Sequence, residues 1–302
     1  MSHRLLILVA LLVVVATLLF MQFPVSPTYA GRTIENAGHM PLFFLVTLGL
    51  LIVLRNDFKV EGVRLYVLAG LIGAGLGVLS EIIQQPLARD ASWEDVLSDS
   101  VGAVCALAVY ALFDRSSRIS RAMRLIALLV ALGCVAFYVT PLVRMTAAYV
   151  HRNGQFPVLA DYRSPADAAW TIGYGTNRKL EGGALEVEFV DNPWPGMSLY
   201  EPVPDWSNYR TLLIDVENPE AGKLEITVKI QDRWRWQNYS DRFNRHFVLA
   251  AGERRTLRID LAEVARAPKA RLMDMSQISN IALFRSTPEG ARRMRVYSLR
   301  LE

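Results

Sequence analysis

The chain has 302 residues, 52% of them hydrophobic, and the apolar ones are concentrated before about Val150. Of the 33 Lys and Arg, 11 lie in residues 1–150 and 22 in 151–302, and the 29 Asp and Glu divide 9 and 20, so each half carries about +2. The basic pI therefore reflects no basic patch, which excludes an electrostatic case for nucleic-acid binding.

Five apolar stretches approach the roughly 20 residues that a membrane span needs: Leu5–Phe23, Met40–Leu54, Leu65–Ile83, Val96–Phe113 and Leu125–Val143. The first is too long for a typical signal-peptide core, so it is read as an uncleaved helix; the alternative is cleavage after Thr28-Tyr29-Ala30. Short-loop Lys and Arg set orientation. Arg4, then Arg55, Lys59 and Arg64, then Arg115, Arg118, Arg121 and Arg124 fall on one side, and only Arg32 and Arg89 on the other. This predicts a cytoplasmic N-terminus and an extracytoplasmic chain after the fifth span. Cys105 and Cys134 lie inside apolar runs and are read as small hydrophobes. Ala69, Gly73 and Gly77 on the third span, and Ser98, Gly102 and Ala106 on the fourth, recur every four residues and predict close contact between those two helices.

Ionisable and polar residues collect near one end of these spans. His39 is expected to open the second helix just before Pro41, and Glu81 to close the third. Gln84, Arg89 and Ser92 follow, then Asp95 and Asp99, four apart on one face of the fourth helix. Intramembrane charge usually faces a partner or a cavity. Three readings stay open: an ion-pair network pinning the helix ends, a site for a polar envelope molecule or lipid headgroup, and an N/O metal site. No pair has a dedicated ligand spacing, so no metal and no cofactor are expected. No Gly-x-Ser-x-Gly elbow, phosphate loop or His-Glu-x-x-His is present, and no catalytic residue is assigned.

The pattern His39, Glu81-Ile82-Ile83-Gln84, Arg89, Ser92, Asp95, Asp99 and Gly102 resembles the VanZ-like membrane protein family over residues 35–113. Asp99 stands where that family has Asn. The resemblance implies a cell-envelope membrane protein with a link to glycopeptide-antibiotic tolerance, and supplies no reaction.

Beyond about Asp161 the apolar period becomes two. Leu185/Val187/Phe189, Leu224/Ile226/Val228/Ile230, Leu257/Ile259/Leu261 and Tyr297/Leu299/Leu301 alternate with polar residues between turn signals. Such runs predict short half-buried strands in an antiparallel sandwich or jelly roll. The succession Asp205-Trp206-Ser207-Asn208-Tyr209, Leu212–Val216, Asn218-Pro219, Phe247–Leu249, Gly252, Leu257–Leu261 and Ile278–Phe284 resembles the galactose-binding-like jelly rolls, which include several carbohydrate-binding modules. Ser298 stands where such modules often carry an Asp, so no structural calcium is expected. Asp232, Trp234, Trp236, Tyr239 and Trp194 are the candidate glycan contacts. Parity with Ile230 would instead turn Trp234 and Trp236 into the core, unless a bulge near Asp232 or the end of the core frees them. Trp170 and Trp206 read as core.

Two parts are thus expected: an all-α bundle of about five transmembrane helices over 1–150 and an extracytoplasmic all-β jelly-roll sandwich over 151–302. The leading functional expectation is a non-catalytic inner-membrane protein of the cell envelope. Its partners would be membrane lipids and a cell-wall glycan or lipid-linked envelope precursor. The alternative is a membrane-embedded enzyme or transporter acting on a lipid-linked substrate through the polar cluster.

Overall fold

The computed structural model describes residues 2–20, 28–84, 93–115, 119–190, 193–232, 238–287 and 289–302. The chain forms two compact units, Met1–Met145 and Thr146–Glu302.

The first unit is helical. Its elements are α1 (His3–Phe20), α2 (Tyr29–Asn56), α3 (Val63–Gln84), α4 (Trp93–Phe113) and α5 (Arg121–Gln155), which runs on into the second unit. Four of these, α2 to α5, are long and apolar enough to cross a membrane. The expected start of the second helix is corrected. The Thr28 hydroxyl caps the first turn by accepting from the Gly31 N–H, so α2 begins at Tyr29, well before Met40. Pro41 therefore lies inside the helix, and His39 stands almost three turns in rather than opening it. At 35 residues, α5 is about 52 Å long, well beyond the roughly 30 Å of a hydrocarbon core.

Packing follows the small residues, with one change from expectation. A Cβ on Gly77 would come 2.9 Å from Asp99 Cβ, so the expected α3–α4 contact forms; one on Gly73 would lie 3.5 Å from Ala103 Cβ but only 2.5 Å from Thr47 Oγ1 of α2. Gly102 faces α2 instead: a Cβ there would collide with the Met40 carbonyl oxygen. Leu8, Phe43, Val46, Leu51, Leu65 and Ala69 make the apolar core of the unit. Outside it, α5 leaves Leu125, Leu129, Leu132 and Val143 more than half exposed. The end remote from His39 carries a second polar set. Arg55 reaches Asp114 at 2.8 Å and the Tyr110 hydroxyl at 3.0 Å, and the Tyr66 hydroxyl donates to Asp114.

The second unit begins at the end of α5 and continues through β1 (Val158–Asp161), a 3₁₀ turn (Pro165–Trp170), β2 (Thr171–Tyr174), β3 (Thr176–Glu181), β4 (Ala184–Phe189), β5 (Gly196–Tyr200) and β6 (Thr211–Glu217). Next come β7 (Leu224–Asp232), a short 3₁₀ turn, β8 (Phe243–Leu249), β9 (Arg254–Asp260), α6 (Leu261–Arg266), β10 (Ile278–Arg285) and β11 (Arg293–Leu301). One sheet is ordered β3-β4-β11-β6-β9 with β1 also on β11; the other is β2-β5-β10-β7-β8. The pairs β4–β11, β5–β10, β6–β9 and β7–β8 are all antiparallel, in alternate sheets. One long hairpin rolled across two sheets gives this nesting, which makes the all-β part a jelly roll.

The alternating runs place the core. Val187, Ile214, Val216, Ile226, Val228, Ile230, Ile259 and Leu283 are all completely buried, and Trp170 and Trp206 nearly or fully so. The expected inward Tyr297 is corrected. A register shift lies between Val296 and Ser298 opposite β6, so parity changes there. Val296 and Leu299 are buried, while Tyr297 is left partly exposed, with the Arg254 guanidinium 3.6 Å from its ring centre.

Candidate functional site

The jelly roll gives its five-stranded sheet an inner face of aliphatic side chains and an opposite face turned away from the core. Register assigns residues to that second face. Thr227, Lys229 and Gln231 of β7 pair with Phe284, Ala282 and Asn280 of β10, and these pair with Gly196, Ser198 and Tyr200 of β5. Lys229 also pairs with Asn244 of β8, and Gly196 with Tyr174 of β2.

This face is unusual in its polarity below the surface. Ser198 and Asn280 are each 2% exposed and Gln231 3%. Yet Gln231 Oε1, Asn280 Nδ2 and Asn244 Oδ1 have no hydrogen-bond partner, and nor does Arg242 Nε nearby. Such groups cost about 1–3 kcal/mol each when left unpaired in a dry interior. Two are acceptors and two are donors, a mixture that suits hydroxyl groups, which do both. The Tyr174 and Tyr200 hydroxyls meet at 2.7 Å, and Trp194, 64% exposed, stands edge-on to Phe284 at 6.0 Å. Gly196 lets this arrangement close, because a Cβ there would strike the Leu283 carbonyl and Phe284. Burial, with the positive charge of Arg242 beside it, pulls the Lys229 ammonium down to about 8.

The residues singled out from the sequence are distributed as follows. Trp194 and Tyr239 are exposed, at 64% and 70%. Trp234 and Trp236 lie outside the described residues. Asp232 is buried and engaged by the protein. The Arg271 guanidinium donates to both of its oxygens, the Asp274 N–H donates to Oδ2, and Arg271 Nε reaches Asp241 Oδ1 at 2.7 Å. Burial alone would raise the Asp232 carboxyl, but these donors outweigh it and hold it below the ordinary range. The pairing opposite Asp232 is irregular, between Ile278 and Asn280, where the Ser279 hydroxyl donates to the Gln231 and Asp232 carbonyls.

The amide residues of this face were not anticipated. Part of their signal was available: Asn is depleted from strands, yet Asn244 and Asn280 lie inside strands, Asn280 just before the apolar Ile281–Phe284. A separate cleft of ≈ 710 Å³ lies where β9 and α6 meet the Trp206–Thr211 segment. Two of its arginines are already paired, Arg245 with Glu263 and Arg258 with Glu302.

In the helical unit His39, Glu81 and Asp99 converge from α2, α3 and α4. All three are buried, at 5%, 5% and 0% exposed, and one donor atom from each lies within 4.8 Å of the others. His39 Nδ1 is 3.0 Å from Asp99 Oδ1. Asp95 stands one turn before Asp99 and is half-buried. Arg89 and Ser92 lie outside the described residues, as does the side chain of Gln84.

No family model matches the chain, and no curated protein matches it. The chain is similar to several solved structures over about half its length. One is a family 11 carbohydrate-binding module from Clostridium thermocellum in complex with a β-1,3-1,4-mixed-linked tetrasaccharide, at 13% identity, covering 48% of this chain and 93% of that one, with a TM-score of 0.36. Others are an exo-β-agarase (13% identity, 48% and 24% covered, TM-score 0.37) and a second agarase (15%, 48% and 26%, TM-score 0.38). The chain spans about a quarter of the length of these agarases.

Proposed function

We propose that this is a non-catalytic, multi-pass membrane protein of the cell envelope whose extracytoplasmic jelly roll binds glycan on the outer face of its five-stranded sheet. The observation that carries the glycan reading is the set of buried, unpaired polar atoms on that face: Gln231 Oε1, Asn244 Oδ1, Asn280 Nδ2 and Arg242 Nε. Sugar hydroxyls would satisfy donors and acceptors alike, and the exposed indole of Trp194 offers a surface on which a pyranose ring stacks.

The membrane reading is supported by the length and apolar surface of α2 to α5 and by the excess of Lys and Arg in alternate loops. With α1 (His3–Phe20, 18 residues) taken as a fifth crossing, it makes the N-terminus cytoplasmic and the jelly roll extracytoplasmic. The resemblance of residues 35–113 to VanZ-like proteins supports a place in the cell envelope.

The test is retention of the detergent-solubilised full chain on a glycan array and on insoluble envelope polysaccharide. Trp194→Ala, and Gln231→Ala combined with Asn280→Ala, are each expected to weaken retention at least tenfold, equivalent to about 1.4 kcal/mol, with the melting profile of the sandwich preserved. Absence of binding to every glycan tried would remove the recognition half of the proposal.

A further inference from the structure

We propose that His39, Glu81 and Asp99 form a site for one divalent metal ion of the zinc and manganese class, inside the helical unit. The donor set is one imidazole and two carboxylates, which suits these ions better than magnesium or a copper(I) site. The three side chains come from three different helices, and all are almost wholly buried.

Two independent features point to a ligand. The first is an unpartnered atom. Asp99 is 0% exposed, and while its Oδ1 faces His39, its Oδ2 has no hydrogen-bond partner. The second is geometry. Tetrahedral zinc with bonds of about 2.0–2.2 Å sets its ligands about 3.3–3.6 Å apart. Donor atoms already within 4.8 Å of each other need only small side-chain rotations to reach that spacing. The backbones are brought close enough by glycine: Gly77 passes Asp99, and Gly102 passes Met40, next to His39.

The full chain, purified in detergent and stripped with chelator, should be equilibrated with zinc or manganese alone in a background of excess magnesium. One ion per chain is expected, with a higher melting temperature. His39→Gln and Asp99→Asn should each weaken binding at least tenfold, and His3→Ala and His246→Gln should leave it unchanged. X-ray absorption at the zinc edge should show nitrogen and oxygen ligands without sulfur. Should the cluster variants fail to fold, the wild-type stoichiometry and absorption spectrum decide. The proposal is overturned by a folded wild-type chain that takes up no stoichiometric ion, or by full binding in both folded variants. Sulfur in the shell would also overturn it, assigning the ion to Cys105 and Cys134, which share an apolar cluster.

Discussion

Asp232 and Asp241, each almost buried, share the guanidinium of Arg271. Removing the cation takes the shared countercharge from two buried carboxylates, so Arg271→Gln is expected to destabilise the sandwich by about 2–4 kcal/mol. Urea unfolding followed by tryptophan fluorescence reads this selectively, because all six tryptophans except Trp93 lie beyond residue 150. The folded Asp232 carboxyl titrates below its unfolded value. Its contribution is therefore present above the ordinary carboxylate range near pH 4 and lost as pH falls through the folded value. Arg271→Gln should flatten that acid limb. Lys229 gives the opposite limb. Its folded value near 8 lies below the unfolded one near 10, so between those values the unfolded chain binds more protons and stability rises with pH. Lys229→Met should be more stable than wild type at pH 7, with the difference shrinking toward pH 10; an unchanged gap would rule out a depressed lysine.

Helix and strand boundaries depend on contacts that a periodicity does not record. The second helix looked as though it began near Met40 because its first turns, Tyr29 to Gly38, mix polar and small residues. Its start is set by one hydroxyl, Thr28, whose cap is visible in sequence only once the helix is known to extend so far back. Likewise Gly102 sits on a small-residue stripe that correctly marks a close helix contact, yet a stripe does not name the partner, and the partner is α2. Gly102→Ala is expected to cost about 1–3 kcal/mol through backbone overpacking, seen as a lower melting temperature in detergent. Gly133→Ala, with open space around the added carbon, should be neutral or slightly stabilising. Equal effects from the two would contradict the α2–α4 crossing. In β11 the parity of Tyr297 misled for a similar reason: a register shift is a pairing property, and one strand's sequence does not contain its partner.

At the scale of the whole chain, the division into an apolar helical half and an alternating β half was legible because the hydrophobic period itself changes. The jelly-roll nesting was legible only as strand number and order, since which strands pair across the roll depends on long-range contacts. Of the candidate sites, His39, Glu81 and Asp99 were named from charge in apolar surroundings, and they do meet. The polar sheet face was passed over in favour of aromatic residues, because an amide in a strand signals function only when its neighbours leave it unsatisfied. The proposed topology predicts that protease added outside intact spheroplasts removes the sandwich and leaves a protected helical fragment. Digestion only after lysis would reverse the orientation.

The entry strand β1 is just four residues long and is held to the final strand, β11, through three paired positions. If the sheet face grips a fixed polymer while α5 is anchored, tension passes through the last turns of α5, where Tyr149 and Arg152 bond Glu201 and Gln155 bonds Asp167, and then through Val158–Asp161. That short ladder would then be the first strand pairing to yield. A pulling experiment should show an early rupture in which β1 peels away from an otherwise intact roll, letting the tether lengthen before the grip is lost.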